Sequence, residues 1–407
     1  MKMRVYLDHN ATTPLREEVL EGMLPFLREH FGNPSSAHNF GKRVREAVEE
    51  ARERVATAIG ARPREIIFTS GGTEADNLAL FGVTNSPLAS KRRKVVTSAI
   101  EHPAVIESCK ALKKRGFEVV FLPVTPEGVV DLGAAEEAID ENTLLVSLML
   151  ANNEIGTLQP VREVAEMAKA KGALVHTDAV QALGKVRVKV EELGVDLASF
   201  SSHKLYGPKG VGALYVRTGL RLDPLLHGGH QERRLRPGTE NAPGIIGFGL
   251  AVELAQEDLD RGMDRRIEAL RDRLQRLLLE RIPHVVVNGG GPRVPNTLNI
   301  SFAFVEGEAL TLSLDAEGVA VSTGSACSSG SLEPSHVLLA LGLPPEVAHG
   351  SLRFSLGKDT TQEEVDYAAE AVASVVERLR AFSPLYEDFL RSELDLEQYL
   401  LRRKEET

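Results

Sequence analysis

From about residue 45 to residue 250 the chain alternates short apolar runs with amphipathic stretches. Glu65–Thr69, Lys94–Thr97, Val119–Leu122, Leu144–Leu150, Ala173–His176, Leu197–Phe200 and Gly212–Val216 are apolar runs of strand length. Between several of them lie Glu46–Ile59, Ile106–Lys113 and Val161–Ala170, where apolar residues recur at helical spacing. Strands that are apolar at consecutive positions are covered on both faces, so the pattern predicts βαβ units and a large, mostly parallel sheet. Ligands of such sheets gather at the carboxyl ends of the strands.

The rhythm then changes. Gly244–Leu279 reads as a long helical stretch, with Ile267, Leu270, Leu274, Leu277 and Leu278 on one stripe and Gly262 bending or dividing it. It is followed by strand candidates His284–Val287 and Thr297–Phe304, a helix at Glu308–Glu317, and strands at Val319–Ser322 and Leu352–Ser355. Thr361 and Glu364 form a capping pattern that opens a further helix. The expected organisation is α/β: a large domain over 16–262 and a smaller α+β domain from 1–15 and 263–382, with a helical tail over 383–407. The small domain carries the Ser/Gly-rich segment STGSACSSGS with Cys327.

Composition narrows the function classes. A chain of 407 residues exceeds what one hydrophobic core usually serves, which agrees with two domains. With 43% hydrophobic and 26% charged residues it is neither disordered nor fibrous. A formal net charge of −10 argues against coating a nucleic acid or an anionic membrane. The longest apolar stretch, Thr143–Ala151, is far short of the roughly 20 residues a bilayer helix needs. The segment MKMRVYLDHN lacks the apolar core of a signal peptide, so a cytoplasmic protein is expected. The two cysteines, Cys109 and Cys327, form neither a disulfide framework nor a CxxC pair. His102 and Cys109 have the wrong spacing for a metal, and none is expected. Cys109 sits among Val105, Ile106 and Leu112 at near-helical spacing and reads as core.

Several residues at strand ends can carry chemistry. In IIFTSGGTEADN two glycines and Thr73 stand between a strand and a helix, where unpaired first-turn amides form an anion site. These residues alone fit an ordinary tight turn better. Asp178 ends a strand in HTDAVQALGK and needs a cationic partner if buried, although a helix cap also explains it. Lys204 follows at about one βαβ crossover, so both could face one crevice, and a desolvated lysine there can form a Schiff base. A solvated loop lysine is the commoner kind. His102, after a third strand, can stack on an aromatic ring or relay protons.

Taken in order, YLDHNATTP, FGNPSSAH, TSGGTEADN, EHPAV, ANNEIGTLQP, HTDAVQALGK, SSHKLYGPKGVGALY, RPGTEN, TGSACSSGSLEPSHVL and LRFSLG span nearly the whole chain. Together they resemble the NifS/IscS-type cysteine desulfurases, pyridoxal phosphate enzymes of the class V aminotransferase fold group. The resemblance implies a fold-type I enzyme whose large domain binds the cofactor. Lys204 would bind pyridoxal phosphate covalently, Asp178 would pair with its ring nitrogen, Gln181 with its ring hydroxyl, and His102 would stack on the ring. Gly72, Thr73, Ser201 and His203 would hold the phosphate, and Thr239 would reach the other subunit's site across a homodimer. Asn153 and Arg353 match the positions for the substrate carboxylate, and Cys327 matches the catalytic thiol.

The implied reaction converts L-cysteine to L-alanine and passes sulfur, as a Cys327 persulfide, to an acceptor or iron–sulfur scaffold protein. A selenocysteine lyase, an aminotransferase or a non-catalytic scaffold with the same fold are the alternatives. The chain departs from the family pattern at His230 and Arg234, where glycine is more usual. Its tail segment SPLYEDFL resembles one by which relatives dock a scaffold protein.

Overall fold

The structure, a computed structural model, describes residues 3–323, 334–392, 394–396 and 398–399. Cys327 lies outside the described residues. A seven-stranded sheet runs in the spatial order Ile66–Thr69, Gly212–Val216, Leu197–Ser201, Leu174–Asp178, Thr143–Ser147, Lys94–Ser98, Glu118–Leu122. From Leu197–Ser201 to Glu118–Leu122 every neighbouring pair is parallel. Gly212–Val216 is antiparallel to both neighbours. The reason is chain length: the short link after Ser201 allows a reversal, whereas a parallel return needs a crossover of a dozen or more residues.

Alternate strand residues enter different cores, as the two-residue period of a strand requires. Ile66, Phe68, Val96 and Val146 join a core with Val44, Val48, Val55 and Phe248, from the helices Asn39–Ile59 and Ala242–Asp260. Ile67, Val95 and Leu145 join a second core with Leu78, Val105, Cys109 and Leu112, from Gly72–Thr84 and Pro103–Lys114. Helices Asn39–Ile59 and Ala242–Asp260 cross closely because Gly249 has no side chain; a Cβ there would lie 2.7 Å from the Cα of Ala51.

A four-stranded antiparallel sheet, in the order Ser322–Thr323, Ser351–Ser355, Thr297–Phe302, Val285–Val287, forms a separate unit. Its core joins Leu298, Ile300 and Phe354 to Ile267 and Leu274 of Met263–Arg281, and to Val365 and Val372 of Gln362–Arg380. Val5 and Leu7 pack into this same core although they come from the other end of the chain. Gly262, at φ 78°, separates Ala242–Asp260 from Met263–Arg281. The Thr361–Glu364 capping box forms as the sequence predicts. The helix Pro384–Ser392 buries Phe389, which stacks on Phe304 with ring centroids 4.8 Å apart. Among the described residues no helix is long and apolar enough to cross a membrane.

Three local expectations change. The strand read as Leu144–Leu150 ends at Ser147, because the Met149 N–H turns to the buried Glu101 carboxylate at 3.0 Å. The single strand read at Val319–Ser322 is two: Val319–Ala320 pairs with Val5–Tyr6, and Ser322–Thr323 with Ser351–Ser355. In the segment that departs from the family pattern, Glu232, Arg233 and Arg234 all take positive φ, at 43°, 56° and 67°. A buried ion pair offsets this strain: Glu232 accepts from Arg52 at 2.7 and 2.8 Å and from the Phe68 N–H at 2.7 Å.

Candidate active site

The carboxyl edge of the large sheet assembles residues that are far apart in sequence. Leu174–Asp178 ends on Asp178, which is 5% exposed. Leu197–Ser201 runs directly into a single turn, Ser202–Lys204. Beyond Lys94–Ser98 stands His102, whose Nδ1 caps the helix Pro103–Lys114 by accepting from the Ala104 N–H at 3.1 Å. Burial lowers the His102 pKa, while Asp178 raises it and Lys204 lowers it again. Burial raises Asp178, opposed by His102 and Lys204. These mutual fields place the three candidates in one crevice, as the strand-end argument expects.

Asp178 does not stand alone. Its Oδ1 accepts from the Val180 N–H at 2.9 Å. Asp76, on Gly72–Thr84 and 1% exposed, is pushed well above the usual carboxylate range by burial and then by Asp178. Two neighbouring buried acids resist double ionisation, and the stronger upward push falls on Asp76, so a shared proton rests there in preference to Asp178. His176 beside them is driven down to about 3 by burial and is neutral. Its ring nitrogens meet Ser147 Oγ at 2.8 Å and Ser199 Oγ at 2.9 Å, which fixes the ring beneath the crevice.

The Ser70–Gly71–Gly72 turn meets the other strand end. A Cβ on Gly212 would strike the Gly71 carbonyl carbon at 2.7 Å, and one on Gly72 would lie 2.8 Å from Val180 Cγ2. Glycine at 212 therefore lets the turn pack against the strand end. The helix starting at Gly72 has no side-chain cap, and Thr73 is exposed in its first turn. First-turn amides at such an uncapped helix N-terminus form a site for an anion. Ser202 Oγ, buried, has no hydrogen-bond partner among the described residues. His203 Nδ1 lies 3.1 Å from Thr12 Oγ1, and burial with nearby lysines holds this imidazole down at about 4.

The Lys204 ammonium donates to the carbonyls of Asn10 at 2.6 Å and Ala11 at 2.8 Å. Gln181 Nε2 donates to the same Asn10 carbonyl at 3.0 Å. Asn10 Nδ2 in turn donates to the Asn153 carbonyl at 3.1 Å, and that oxygen also accepts Arg353 Nη1 at 3.0 Å. A continuous polar chain thus links Lys204 on the parallel sheet to Arg353 on the antiparallel one. Arg353, 2% exposed, also donates from Nη2 to Asp8 Oδ1 at 2.9 Å, while its Nε has no partner among the described residues.

Lys204, Asp178, His102, Gln181, Asn153 and Arg353 therefore share one site, with Gly72 and Ser201 at its rim. Thr239 stands apart, exposed on the segment before Ala242–Asp260. Sequence reasoning missed Asn10, Asp8 and Asp76 as site residues. Asn10 and Asp8 stood in the quoted YLDHNATTP motif, and Asp76 in TSGGTEADN. Cys109 is fully buried, and burial pushes its thiol up to about 12, which leaves it a thiol at neutral pH.

A primary amine, a buried acid, an imidazole and a helix N-terminus packed against the Ser201 edge form a donor set that fits pyridoxal phosphate. Comparison with known proteins agrees. The family model for aminotransferase class-V matches residues 5–368. The chain is 54% identical over 390 residues to the cysteine desulfurase IscS of Dictyoglomus turgidum, covering 96% of this chain and 98% of that one. It is 51% identical over 382 residues to the cysteine desulfurase IscS of Methanosarcina thermophila, covering 94% of each. Among solved structures, a NifS-like protein superposes with a TM-score of 0.87 at 43% identity, over 92% of this chain and 100% of that one. SspA in complex with cysteine superposes with a TM-score of 0.77 at 36% identity, over 88% and 99%. The chain belongs to the aminotransferase class-V family, whose pyridoxal phosphate dependence it shares, and within it to the cysteine desulfurase branch.

Proposed function

We propose that the protein converts L-cysteine to L-alanine and carries the released sulfur as a persulfide on Cys327. The observation that carries this reading is the polar chain from Lys204 through Asn10 and Asn153 to Arg353, which sets an amine-binding lysine and a carboxylate-binding guanidinium in one crevice. Bound there, pyridoxal phosphate supplies an electron sink for charge developing at the substrate Cα. Asp178, ionised beside protonated Asp76, holds a proton at the ring nitrogen. Gln181 donates to the ring hydroxyl, and His102 covers the ring face. The first-turn amides at Gly72 and Thr73, with Ser201 and His203, hold the phosphate. Asn153 and Arg353 hold the substrate carboxylate, for which a guanidinium fork is suited.

Lys204 would hold the cofactor through its amine and, beside the substrate carbon, would move protons there. Cys327 attacks the substrate sulfur as a thiolate, so the C–S bond breaks, an S–S bond forms, and the electron pair left on carbon is protonated to give alanine. No external oxidant or reductant is needed. Two copies form the working unit in the cytoplasm, with Thr239 serving the other copy's phosphate site. Residues 16–262 form the cofactor domain, residues 1–15 with 263–382 the domain that brings Arg353 and Cys327, and 383–407 the tail. The sulfur passes on to a thiol of an acceptor or iron–sulfur scaffold protein.

The test is direct. Reconstituted with pyridoxal phosphate and given L-cysteine with a reducing thiol, the protein is expected to release alanine and sulfide in equal amounts. Cys327→Ala is expected to abolish both while keeping the yellow colour. Undiminished release by that variant would overturn the thiol's role and favour a lyase.

A further inference from the structure

Lys185 closes the HTDAVQALGK segment, four positions after Gln181, and the reaction outlined above does not use it. Its Nζ donates to Gln181 Oε1 and, at 3.0 Å, to Asn10 Oδ1. Asn10 thereby meets three site groups: its side-chain oxygen accepts Lys185, and its carbonyl accepts both Gln181 Nε2 at 3.0 Å and Lys204 Nζ at 2.6 Å. A closed ring of hydrogen bonds joins Lys185, Gln181 and Asn10, with Lys204 attached to it.

The chemistry of the ring assigns each end of the Gln181 amide. A carbonyl only accepts, so the Asn10 carbonyl takes one hydrogen of the Gln181 NH2 group and the amide oxygen is left to accept from Lys185. One N–H of that group remains for the cofactor. Without Lys185 the amide oxygen loses its donor, and the Gln181 side chain is held only through the Asn10 carbonyl. Packing alone does not call for an ammonium here, since burial disfavours the charge and pushes the Lys185 pKa well below its usual range, with Lys204 and Arg353 adding to the effect. Lys185 and Lys204 also border a cavity of about 40 Å³ with His9, Tyr206 and Asn296, so the neighbourhood has room for a slightly longer side chain.

We propose that Lys185 is a positioning residue for the cofactor: by holding the Gln181 amide oxygen it keeps the Gln181 N–H placed as a hydrogen-bond donor to the ring hydroxyl. The proposal rests on the reading that Gln181 meets the pyridoxal phosphate ring. Its test is the dissociation constant of pyridoxal phosphate for the apoprotein, read by absorption, in wild type, Lys185→Met, Lys185→Arg, Gln181→Leu and the Lys185→Met/Gln181→Leu double variant.

Lys185→Met is expected to weaken binding about tenfold, the worth of one charge-assisted hydrogen bond. Lys185→Arg, also donor-only, is expected to restore most of the loss. The double variant is expected to bind no more weakly than Gln181→Leu alone, because Lys185 acts through Gln181. Lys185→Gln, uncharged and one atom shorter, is expected to lose the contact as Lys185→Met does and serves if that variant does not fold. Wild-type affinity in Lys185→Met or Lys185→Gln, or fully additive losses in the double variant, would overturn the proposal. A wild-type apoprotein that takes up no pyridoxal phosphate would instead overturn the cofactor reading on which it rests.

Discussion

The two sheets serve the site in different ways. At the edge of the parallel sheet the main chain holds the functional groups: Lys204 bonds the carbonyls of Asn10 and Ala11, Asp178 the Val180 N–H, and His102 the Ala104 N–H. On the antiparallel sheet Arg353 is held partly by a side-chain carboxylate, Asp8, and its Nε is unpartnered among the described residues. Main-chain partners cannot leave without unfolding an element, whereas a carboxylate partner can be exchanged for another carboxylate. The Lys204 side is thus preorganised and the Arg353 side is provisional. In the proposed function Asp8 would compete with the substrate carboxylate for the same guanidinium.

That contrast can be broken at several points. The largest effect is expected from Lys204→Ala, which removes the preorganised amine: the yellow absorption is lost and alanine formation falls by about 10²- to 10⁴-fold or more. Retained colour would place the cofactor elsewhere. Arg353→Met is expected to raise KM for cysteine by about 10- to 100-fold, the worth of a charge-assisted contact, with a smaller change in kcat. A fall in kcat at unchanged KM would mean that the guanidinium does not bind the substrate carboxylate.

A third measurement concerns the acids on the parallel side. Glu101 accepts from Ser98 Oγ at 2.6 Å and from the Met149 N–H, and burial pushes it up to about 8. The native state therefore keeps a proton that the unfolded chain releases near pH 4.5. The stability tied to that proton is fully present at lower pH and is lost as pH rises from there through about 8. The apoprotein's melting temperature is expected to fall across this window, and Glu101→Gln to flatten the fall by a few degrees. An unchanged slope would mean that Glu101 is ionised in the native state. The smallest effect belongs to Asp8→Asn, which weakens the competitor for Arg353 and is expected to lower KM by about two- to fivefold. A raised KM would show that Asp8 helps to orient the guanidinium.

The same contrast explains what is legible in the sequence. A strand such as Leu197–Ser201 is legible because both faces are covered, so every position is apolar or small and the run stands out. Asp178, Lys204 and His102 are legible because each directly follows such a run. Cys109 is legible as core from its helical neighbours. Asn10 is not, because its partners Gln181 and Lys204 lie 171 and 194 positions away, and nothing local marks a carbonyl as a lysine's acceptor. Glu101 is hidden for a similar reason: it takes the Met149 N–H 48 positions on and thereby ends a strand that the apolar pattern extends to Leu150. The antiparallel direction of Gly212–Val216 follows from link length, and hydropathy carries no information about it.

The central claim is that sulfur leaves cysteine for one particular thiol of the two in this chain. After a single turnover with L-cysteine, alkylation and peptide mass spectrometry would locate the persulfide. The account predicts one added sulfur on the peptide carrying Cys327 and none on Cys109, whose fully buried thiol is held at about 12. A persulfide on Cys109, or alanine formed with no protein-bound sulfur at all, would contradict it.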